Sequence, residues 1–386
     1  MSPIKAFEFA TATRIIFGAG KVAQVAEIAA TMGQRILLVS SNSAAPIASQ
    51  LEHQLGERGL TITRYTVSGE PDIPSIEGGV QAARYANCDM VIGIGGGSVI
   101  DAGKAIAGLL TNGGNVLDYV EVVGRGQPIQ QPAAPYMAIP TTAGTGAEVT
   151  RNAVISIPEK QVKVSMRSPY LLPSIALIDP QLTYTMPSAV TASTGMDTLT
   201  QLIEAYTCNR TNPITDAITV TGLSNAVKAL LETYEHGTPQ ARESMAYASL
   251  CSGLALANSG LGAVHGFAAV LGGNFPIPHG VCCAALLPYV TRGNIAALLA
   301  RDPANEALVR YNRIALLLTG GQDPQQLPDA LLHLSQALHI PRLSTYGVSA
   351  DAVPELVSLS MQANSMKANP IALTADELAQ ILTAAL

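Results

Sequence analysis

The sequence predicts an α/β domain built on a parallel sheet, followed by an all-helical domain. Two apolar runs without alternation, ILLVSS after Arg35 and MVIGIGGGS after Asp89, are typical of strands that are covered on both faces. Helix-like segments at 44–58 and 75–86 lie between these runs. An alternation of strands and helices predicts helices packed on a parallel sheet.

Further short strands are predicted in the first half, whereas the second half carries only helical spacing. The strands are expected at 61–67, 136–139, 151–157 and 175–178. Beyond Asp179, apolar residues recur with the 3.6-residue period of a helix over 187–206, 215–234, 242–270 and 304–318. We therefore predict two domains, at 1–187 and 188–386, with the boundary near Pro187.

Composition narrows the classes of protein to which the chain can belong. The 386 residues are 48% hydrophobic and only 13% charged, which argues against disorder. The net charge is −6 and no block of five like charges occurs. We therefore expect neither a nucleic acid nor an anionic membrane as a partner.

The N-terminal segment and the cysteines predict a cytoplasmic protein. No apolar stretch of the kind found in secretory signals follows the first basic residue. Five unevenly spaced cysteines form no CxxC pair, so we interpret them as core thiols. Residues 244–291 lack Asp, Glu, Lys and Arg, but polar residues and prolines interrupt them, which favours buried helices over a membrane span.

A glycine-rich loop, GIGGGS, ends the second apolar run and begins a predicted helix. Gly96, Gly97 and Ser98 could hold a phosphate, since bare amide groups at a helix N-terminus bind anions. The alternative is a turn that only requires glycine. Asp101 and Lys104 follow in the first two helical turns, either beside the bound group or as a helix cap and a solvated side chain.

A second polar loop, PTTAGTGAEVT, follows a short predicted strand. The hydroxyl groups of Thr141, Thr142 and Thr145 can hydrogen-bond ribose or carboxamide groups. Threonines in an ordinary turn bond instead to their own backbone. Together with the glycine loop, this segment favours nucleotide binding.

A carboxylate and two imidazoles form a candidate metal site. Asp197 and Gln201 are four residues apart on one helix face, while His265 and His279 lie in the segment without charges. One Asp and two His can hold Zn²⁺ or Fe²⁺ and leave a position for substrate. The alternative is that they are buried polar residues with satisfied hydrogen bonds.

With these motifs the chain resembles the iron-containing (type III) alcohol dehydrogenase family, whose fold is shared with glycerol dehydrogenase and dehydroquinate synthase. The resemblance runs through GGGSVIDAGKA, PTTAGTGAEVT, GMDTLTQLIEAY, ANSGLGAVHGFAAVLGG and PHG. It implies an NAD(P)-binding α/β domain followed by a helical metal domain. It also implies a homodimer that interconverts a small alcohol and its aldehyde or ketone with NAD(H) or NADP(H).

The resemblance also implies roles for individual residues. Gly96, Gly97 and Ser98 match the diphosphate loop, and Asp101 follows it. Further cofactor contacts are implied at Thr141, Thr142, Thr145, Asn152 and Lys163. Asp197, His265 and His279 match three of the four metal ligands of the family.

Two positions depart from the family pattern. Gln201 replaces a ligand histidine, so we expect weaker metal binding or a different metal. Ala269 replaces a histidine near the substrate, which leaves no residue to which we assign the proton transfer. A cofactor-binding homologue that is catalytically impaired or metal-free is therefore one alternative. A dehydroquinate-synthase-like lyase is another, but 244–291 offers no Lys or Arg to hold a phosphate.

Ser41 bears on the choice between NAD and NADP. It follows the first predicted strand, where many NAD-preferring members of the family carry Asp. A carboxylate there repels the 2′-phosphate of NADP, and serine removes that repulsion. The sequence therefore predicts that NADP(H) is accepted, unless Ser41 merely ends the strand.

Overall fold

The computed structural model describes residues 6–386 and divides into two units. The α/β unit comprises Ala10–Thr142 and Gly146–Thr185. The helical unit comprises 6–9, Ala143–Thr145 and Met186–Leu386.

The α/β unit contains eight strands and five α-helices within its described residues. The strands are β1 (Arg14–Phe17), β2 (Arg35–Ser40), β3 (Thr61–Thr66), β4 (Met90–Gly95), β5 (Tyr136–Pro140), β6 (Asn152–Ile157), β7 (Val162–Arg167) and β8 (Ile175–Ile178). The helices are α1 (Val25–Ala29), α2 (Ala45–Glu57), α3 (Ile73–Tyr85), α4 (Gly97–Asn112) and α5 (Val116–Tyr119). Short 3₁₀ turns occur at Lys21–Gln24, Ala147–Val149, Pro158–Lys160, Pro169–Leu171 and Pro180–Thr183.

Six strands form a parallel sheet in the order β1-β8-β5-β4-β2-β3. Alternate residues of the strands are buried on its two faces. Leu37 and Val91 pack with α3 and α4 on one face, whereas Leu38 and Ile92 pack with α1 and α2 on the other. The two covered faces explain why the strands read as continuous apolar runs, and they confirm the predicted fold class of this unit.

The sheet reverses its direction of growth between β2 and β4. From β2 the chain adds β3 on one side, and it then returns to add β4, β5 and β8 on the other side. Ser40 is paired with Ile94, and Gly95 with Pro140, so these three strands end at the same edge. In open α/β sheets, ligands bind at the carboxyl ends of the strands where the order reverses.

One predicted strand forms as expected, but the sequence did not indicate which strand it pairs with. Two further strands, β1 and β7, were not predicted. The segment expected at 151–157 forms β6, but it pairs antiparallel with β7 in a separate two-stranded sheet. β7 reads VKVSMR, in which polar residues alternate with apolar ones. β1 has only four residues at the sheet edge, too few to show a period.

The helical unit contains nine α-helices within its described residues. They are α6 (Ser188–Thr207), α7 (Pro213–Glu235), α8 (Pro239–Asn258), α9 (Ala263–Asn274), α10 (His279–Arg301), α11 (Glu306–Thr319), α12 (Leu327–Ala337), α13 (Val353–Ser360) and α14 (Ala375–Ala384). The 3₁₀ turns are Pro324–Gln326, Leu343–Tyr346, Ala350–Ala352 and Met366–Ala368. Residues of these helices share one large apolar core, as expected for an all-helical domain.

The single helix predicted at 242–270 is wrong, because the chain breaks into α8 and α9. The two helices are bent by 95°. A side chain at Gly260 would approach the Ala368 methyl group to 2.7 Å, and one at Gly262 would approach the Glu204 carboxylate to 2.8 Å. The glycines at the break therefore let the start of α9 pack closely against its neighbours.

Within residues 6–386, one helix, α10, has the length and hydropathy of a membrane span, as does the bent pair α8 and α9 if the two are counted as one. In α10, 72% of the apolar window is buried inside the unit. Its apolar residues, among them Leu286 and Leu287, pack in the shared core. Burial of this kind is typical of a core helix.

The α/β unit also contains a buried ionic cluster around Lys104. The ammonium group lies 2.8 Å from Asp101 Oδ1 and donates to Ala147 O and Thr150 Oγ1, each at 3.0 Å. It also donates to the Asn152 carbonyl. Lys104 is 1% exposed and ties α4 to β6 and to the loop before it, so the alternative of a solvated side chain is wrong. A buried cation with this many partners is costly to leave unpaired.

Glu148 adds a second carboxyl group to this region and makes the stability of the unit depend on pH. It is 3% exposed, and burial raises its pKa from the ordinary value of 4.5 to about 7. The folded state therefore holds the proton more tightly than the unfolded state does. This contribution to stability is complete below pH 4.5 and is lost as the pH rises through 7.

We expect Glu148→Gln to remove this pH dependence, because glutamine stays neutral at every pH. Relative to the wild type, the free energy of urea unfolding of the variant should rise by about 2.5 kcal/mol between pH 5 and pH 8. Glu159→Gln, at an exposed position of the same unit, is the matched control. Parallel pH profiles for wild type and Glu148→Gln would contradict the assignment.

Candidate active site

The predicted cofactor-binding segments meet at one edge of the parallel sheet. Ser41 follows β2, Gly96 follows β4 as the N-cap of α4, and Thr141 follows β5. The Thr141 amide donates to the Gly95 carbonyl at 2.8 Å, which joins two of these loops directly. Adjacent parallel strands thus bring together residues that are far apart in sequence, at the place where the sheet order reverses.

The glycine loop is closely packed at one residue and open at the next. A side chain at Gly95 would meet Val99 at 2.6 Å, so glycine is required there by packing alone. At Gly96 a side chain would meet only Thr142, at an ordinary 3.4 Å. The first amide groups of α4 have no partner inside the helix, as at every helix start. Gly96 therefore leaves room for an anion beside amide donors.

Three further predicted cofactor contacts have protein partners in this structure. Asp101 pairs with Lys104 and accepts from the Val154 amide at 3.1 Å. The Asn152 carbonyl accepts from Lys104, whereas Lys163 lies 3.2 Å from Glu70. Burial raises the pKa of Asp101, although Lys104 lowers it. The contacts predicted at Asp101, Asn152 and Lys163 stay predictions.

The threonine loop is divided between the two units. Thr141 and Thr142 belong to the α/β unit, while Thr145 belongs to the helical unit. The segment is held to the helical unit through Gly144, whose amide donates to Ser249 at 2.8 Å and whose carbonyl accepts from Thr198 at 2.9 Å. The cofactor contacts of the threonines likewise stay predictions.

The predicted metal ligands converge inside the helical unit. Asp197 lies in the middle of α6, His265 in the first turn of α9 and His279 at the first position of α10. The Nε2 atoms of His265 and His279 are 3.5 and 3.6 Å from Asp197 Oδ1. Gly280 has no room for a side chain because of the Ser193 carbonyl, so glycine lets α10 begin directly against α6.

The Asp197 carboxylate is well placed for a cation. It is 2% exposed, and within residues 6–386 its Oδ1 accepts no hydrogen bond of ordinary geometry. Although burial opposes its charge, the His279 and His265 imidazoles lower the pKa of this carboxyl below 3.8. A buried carboxylate oxygen without a donor and two imidazole nitrogens within 3.6 Å of it fit a divalent metal ion.

Glu204 orients one of these imidazoles. Its Oε2 lies 2.6 Å from His265 Nδ1, which donates its N–H to the carboxylate. Its Oε1 accepts from the Val264 amide at 2.7 Å. Because Nδ1 carries the hydrogen, Nε2 of neutral His265 presents its lone pair to the site.

Cys283 also lies in this cluster. Its Sγ is 3.6 Å from His279 Nε2 and 3.8 Å from His265 Nε2. The ligand atoms of Cys283, Asp197, His265 and His279 all lie within 4.8 Å of one another. The neighbouring Cys283 and Asp197 side chains raise the pKa of His279 to about 9, against the effect of its burial.

Gln201, the remaining predicted ligand, turns an amide group toward Asp197. Its Nε2 donates to Asp197 Oδ2 at 3.4 Å. Its Oε1 is buried and has no hydrogen-bond partner in the described part of the chain. Gln201 is thus beside the site, but its role as a ligand stays a prediction. Ala269, the other departure, is exposed one turn after His265.

Sequence reasoning did not single out Glu204 or Cys283. Glu204 is seven residues after Asp197 and Cys283 is four after His279, spacings that place each pair on one helix face. All five cysteines are buried and free, as expected for core thiols. Cys283 lies one helical turn after a predicted ligand, but so does Cys282, so spacing alone does not separate it from the other cysteines.

Comparison with known proteins agrees with this arrangement. Residues 12–180 match the family described as iron-containing alcohol dehydrogenase, and residues 191–386 match the C-terminal domain of the same family. Alcohol dehydrogenase 4 of Saccharomyces cerevisiae (strain YJM789) is 34% identical over 372 residues, which are 95% of each chain. The NAD-dependent methanol dehydrogenase of Bacillus methanolicus is 30% identical over 96% of this chain and 97% of its own.

A solved structure of a 1,3-propanediol oxidoreductase superposes with a TM-score of 0.90 at 32% identity, covering 99% of this chain and 100% of the other. The fold, the metal-binding cluster and the matches over both units lead to one assignment. The chain belongs to the iron-containing alcohol dehydrogenase family and is an oxidoreductase.

Proposed function

We propose that this chain interconverts a small alcohol and its aldehyde or ketone with NAD(H) or NADP(H), in the cytoplasm and as a homodimer. The observation that carries the proposal is the convergence of Asp197, His265 and His279, of which the first two are buried and the third is half-buried. Family members with this architecture include a methanol dehydrogenase described as NAD-dependent. The cytoplasmic location and the dimer rest on composition and on the family resemblance alone.

Individual residues have different roles in the proposed site. When bound, a divalent metal would polarise the substrate oxygen, and the nicotinamide would carry the hydride. Asp197 supplies a buried negative charge, and Glu204 holds His265 in the tautomer that can bind metal. Ala269 supplies no titratable group, so the proton must leave through water or the cofactor ribose.

The direct test is oxidation of NADH and NADPH with a panel of short aldehydes and ketones, before and after removal of the metal by chelation. We expect turnover that is lost on chelation and restored by Zn²⁺ or Fe²⁺. Asp197→Asn, which keeps the size of the side chain, should lower kcat/KM by about 100-fold or more. No turnover by the metal-loaded chain would favour the alternative of a catalytically impaired homologue.

Cofactor binding can be tested at the glycine loop. We expect Gly96→Val to weaken NAD(P)H binding by at least about 10-fold, because the side chain occupies the space beside the amide groups of α4. Gly56→Ala, at an open position on α2, is the matched control. Fluorescence titration of the reduced nicotinamide measures both. Unchanged affinity in a folded Gly96→Val chain would refute the assignment.

The preference between the two cofactors is tested at Ser41. Its Oγ is 2.9 Å from Ser43 Oγ and accepts from the Ala44 amide at 3.3 Å, at the edge where the sheet reverses. We expect the wild type to use NADPH. Ser41→Asp should lower kcat/KM for NADPH by about 10-fold or more and leave NADH less affected, since the carboxylate repels the 2′-phosphate.

Gln50→Glu, which adds the same charge at an exposed position of α2, is the control for Ser41→Asp. It should leave the ratio of kcat/KM values unchanged. If the wild type discriminates strongly against NADPH, and Ser41→Asp does not alter the ratio, Ser41 merely ends the strand.

A further inference from the structure

We propose that Cys283 is a metal ligand in this chain and that it takes the place of the imidazole missing at Gln201. The ligand set is then Asp197, His265, His279 and Cys283, and it favours Zn²⁺ over Fe²⁺. This inference rests on the proposed function only in requiring that a metal is bound.

The first argument is the position of the thiol. Cys283 is completely buried one turn after His279 on α10, so both side chains project from one face of that helix. Its sulfur faces two imidazole nitrogens, at 3.6 and 3.8 Å. A thiol has a single proton and can donate to only one of them. A thiolate bound to a shared cation satisfies both neighbours at once.

The second argument is that four of the six distances between these ligand atoms are close to those of a tetrahedron around one ion. With Zn–N and Zn–O bonds of about 2.0–2.1 Å, two such ligand atoms are about 3.3 Å apart, and a sulfur at about 2.3 Å is about 3.6 Å from each nitrogen. The two distances from Asp197 Oδ1 to the imidazoles are 3.5 and 3.6 Å. The two distances from sulfur, 3.6 and 3.8 Å, are slightly longer, as the larger atom requires.

The third argument is charge. A thiolate and the Asp197 carboxylate together carry two negative charges, which balance a divalent cation held among side chains of which three, Asp197, His265 and Cys283, are buried. The amide of Gln201 is neutral, and its donor group points at Asp197 Oδ2. Of the two side chains, Cys283 is therefore the better fourth ligand.

The nature of the ligand determines which metal is bound. A tetrahedral set with sulfur and nitrogen ligands is typical of zinc, whereas oxygen and nitrogen sets accept harder ions. Four protein ligands do not close the site to substrate, because zinc can expand to five ligands. The chain can therefore retain a substrate position with this altered ligand set.

The experiment uses Co²⁺ as a spectroscopic substitute for Zn²⁺ in the full-length chain after removal of metal. Thiolate bound to Co²⁺ gives a charge-transfer absorption in the near ultraviolet that oxygen and nitrogen ligands do not give. We expect this band in the wild type and in Gln201→Ala. It should be absent from Cys283→Ala and from Cys283→Ser, which keeps the size of the side chain.

Cys282→Ala is the matched control, because it removes a neighbouring buried cysteine on the same helix. It should keep the absorption band. Competition with a chromophoric chelator gives the Zn²⁺ dissociation constant of each variant. We expect Cys283→Ala to weaken Zn²⁺ binding by more than about 100-fold, beyond the effect typical of losing a hydrogen-bonded partner of a ligand.

Two results would overturn the inference and leave the proposed function intact. One is a wild type that binds Co²⁺ and turns over aldehyde in a metal-dependent way but shows no thiolate band. The other is a band or a dissociation constant that Cys283→Ala and Cys283→Ser leave unchanged. Failure of the wild type to bind any divalent metal would overturn this inference and the metal-dependent function together. Circular dichroism of each metal-free variant establishes that it is folded.

Discussion

The metal-binding cluster depends on one contact, between the Glu204 carboxylate and the first turn of α9. This carboxylate accepts from the Val264 amide and from His265 Nδ1, so it caps the helix and orients the imidazole at the same time. A negative charge is favourable at a helix N-terminus, and this end is buried, where the interaction is stronger. The contact requires the 95° bend between α8 and α9 and the absence of a side chain at Gly262. The orientation of His265, the capping of α9 and the bend before α9 therefore depend on one another.

The α/β unit positions its loops by a different constraint, the register of parallel strands. Ser41, Gly96 and Thr141 come together because the strands before them end at one edge. Lys104 strengthens this arrangement from within, since one buried ammonium group binds α4 to the carbonyls at Ala147 and Asn152. A lysine placed in the second turn after a glycine loop could bind phosphate in other folds, but here its charge is already paired with Asp101. The predicted anion site at this loop would therefore depend on backbone amides and not on a lysine side chain.

The sequence was enough to predict the strands and helices whose burial imposes a regular spacing of apolar residues. It was not enough where a feature depends on which other segment the strand or helix packs against. Strands β2 and β4 were predictable because both of their faces are covered. The membership of β6 in a separate sheet was not, since its own residues do not specify which strand it pairs with. The break before α9 was missed because apolar residues on both sides of it keep a helical period, although NSGLG at 258–262 is a turn signal; the close approach of Gly260 to Ala368 shows that the break is also required by packing.

The same difference separates the ligands that were predicted from those that were not. His265 and His279 stood out because histidine is rare in the chain, whereas Cys283 was one of five cysteines without a pair. What distinguishes it is the chemistry of its neighbours, two imidazoles and a carboxylate oxygen that lacks a donor. Glutamine at position 201 therefore does not by itself indicate weaker metal binding, because the neighbouring helix α10 offers another candidate ligand. The family resemblance predicts an imidazole at this position on α6, while α10 places a softer donor in the same cluster, and a ligand of that kind would keep a metal bound but favour a different one.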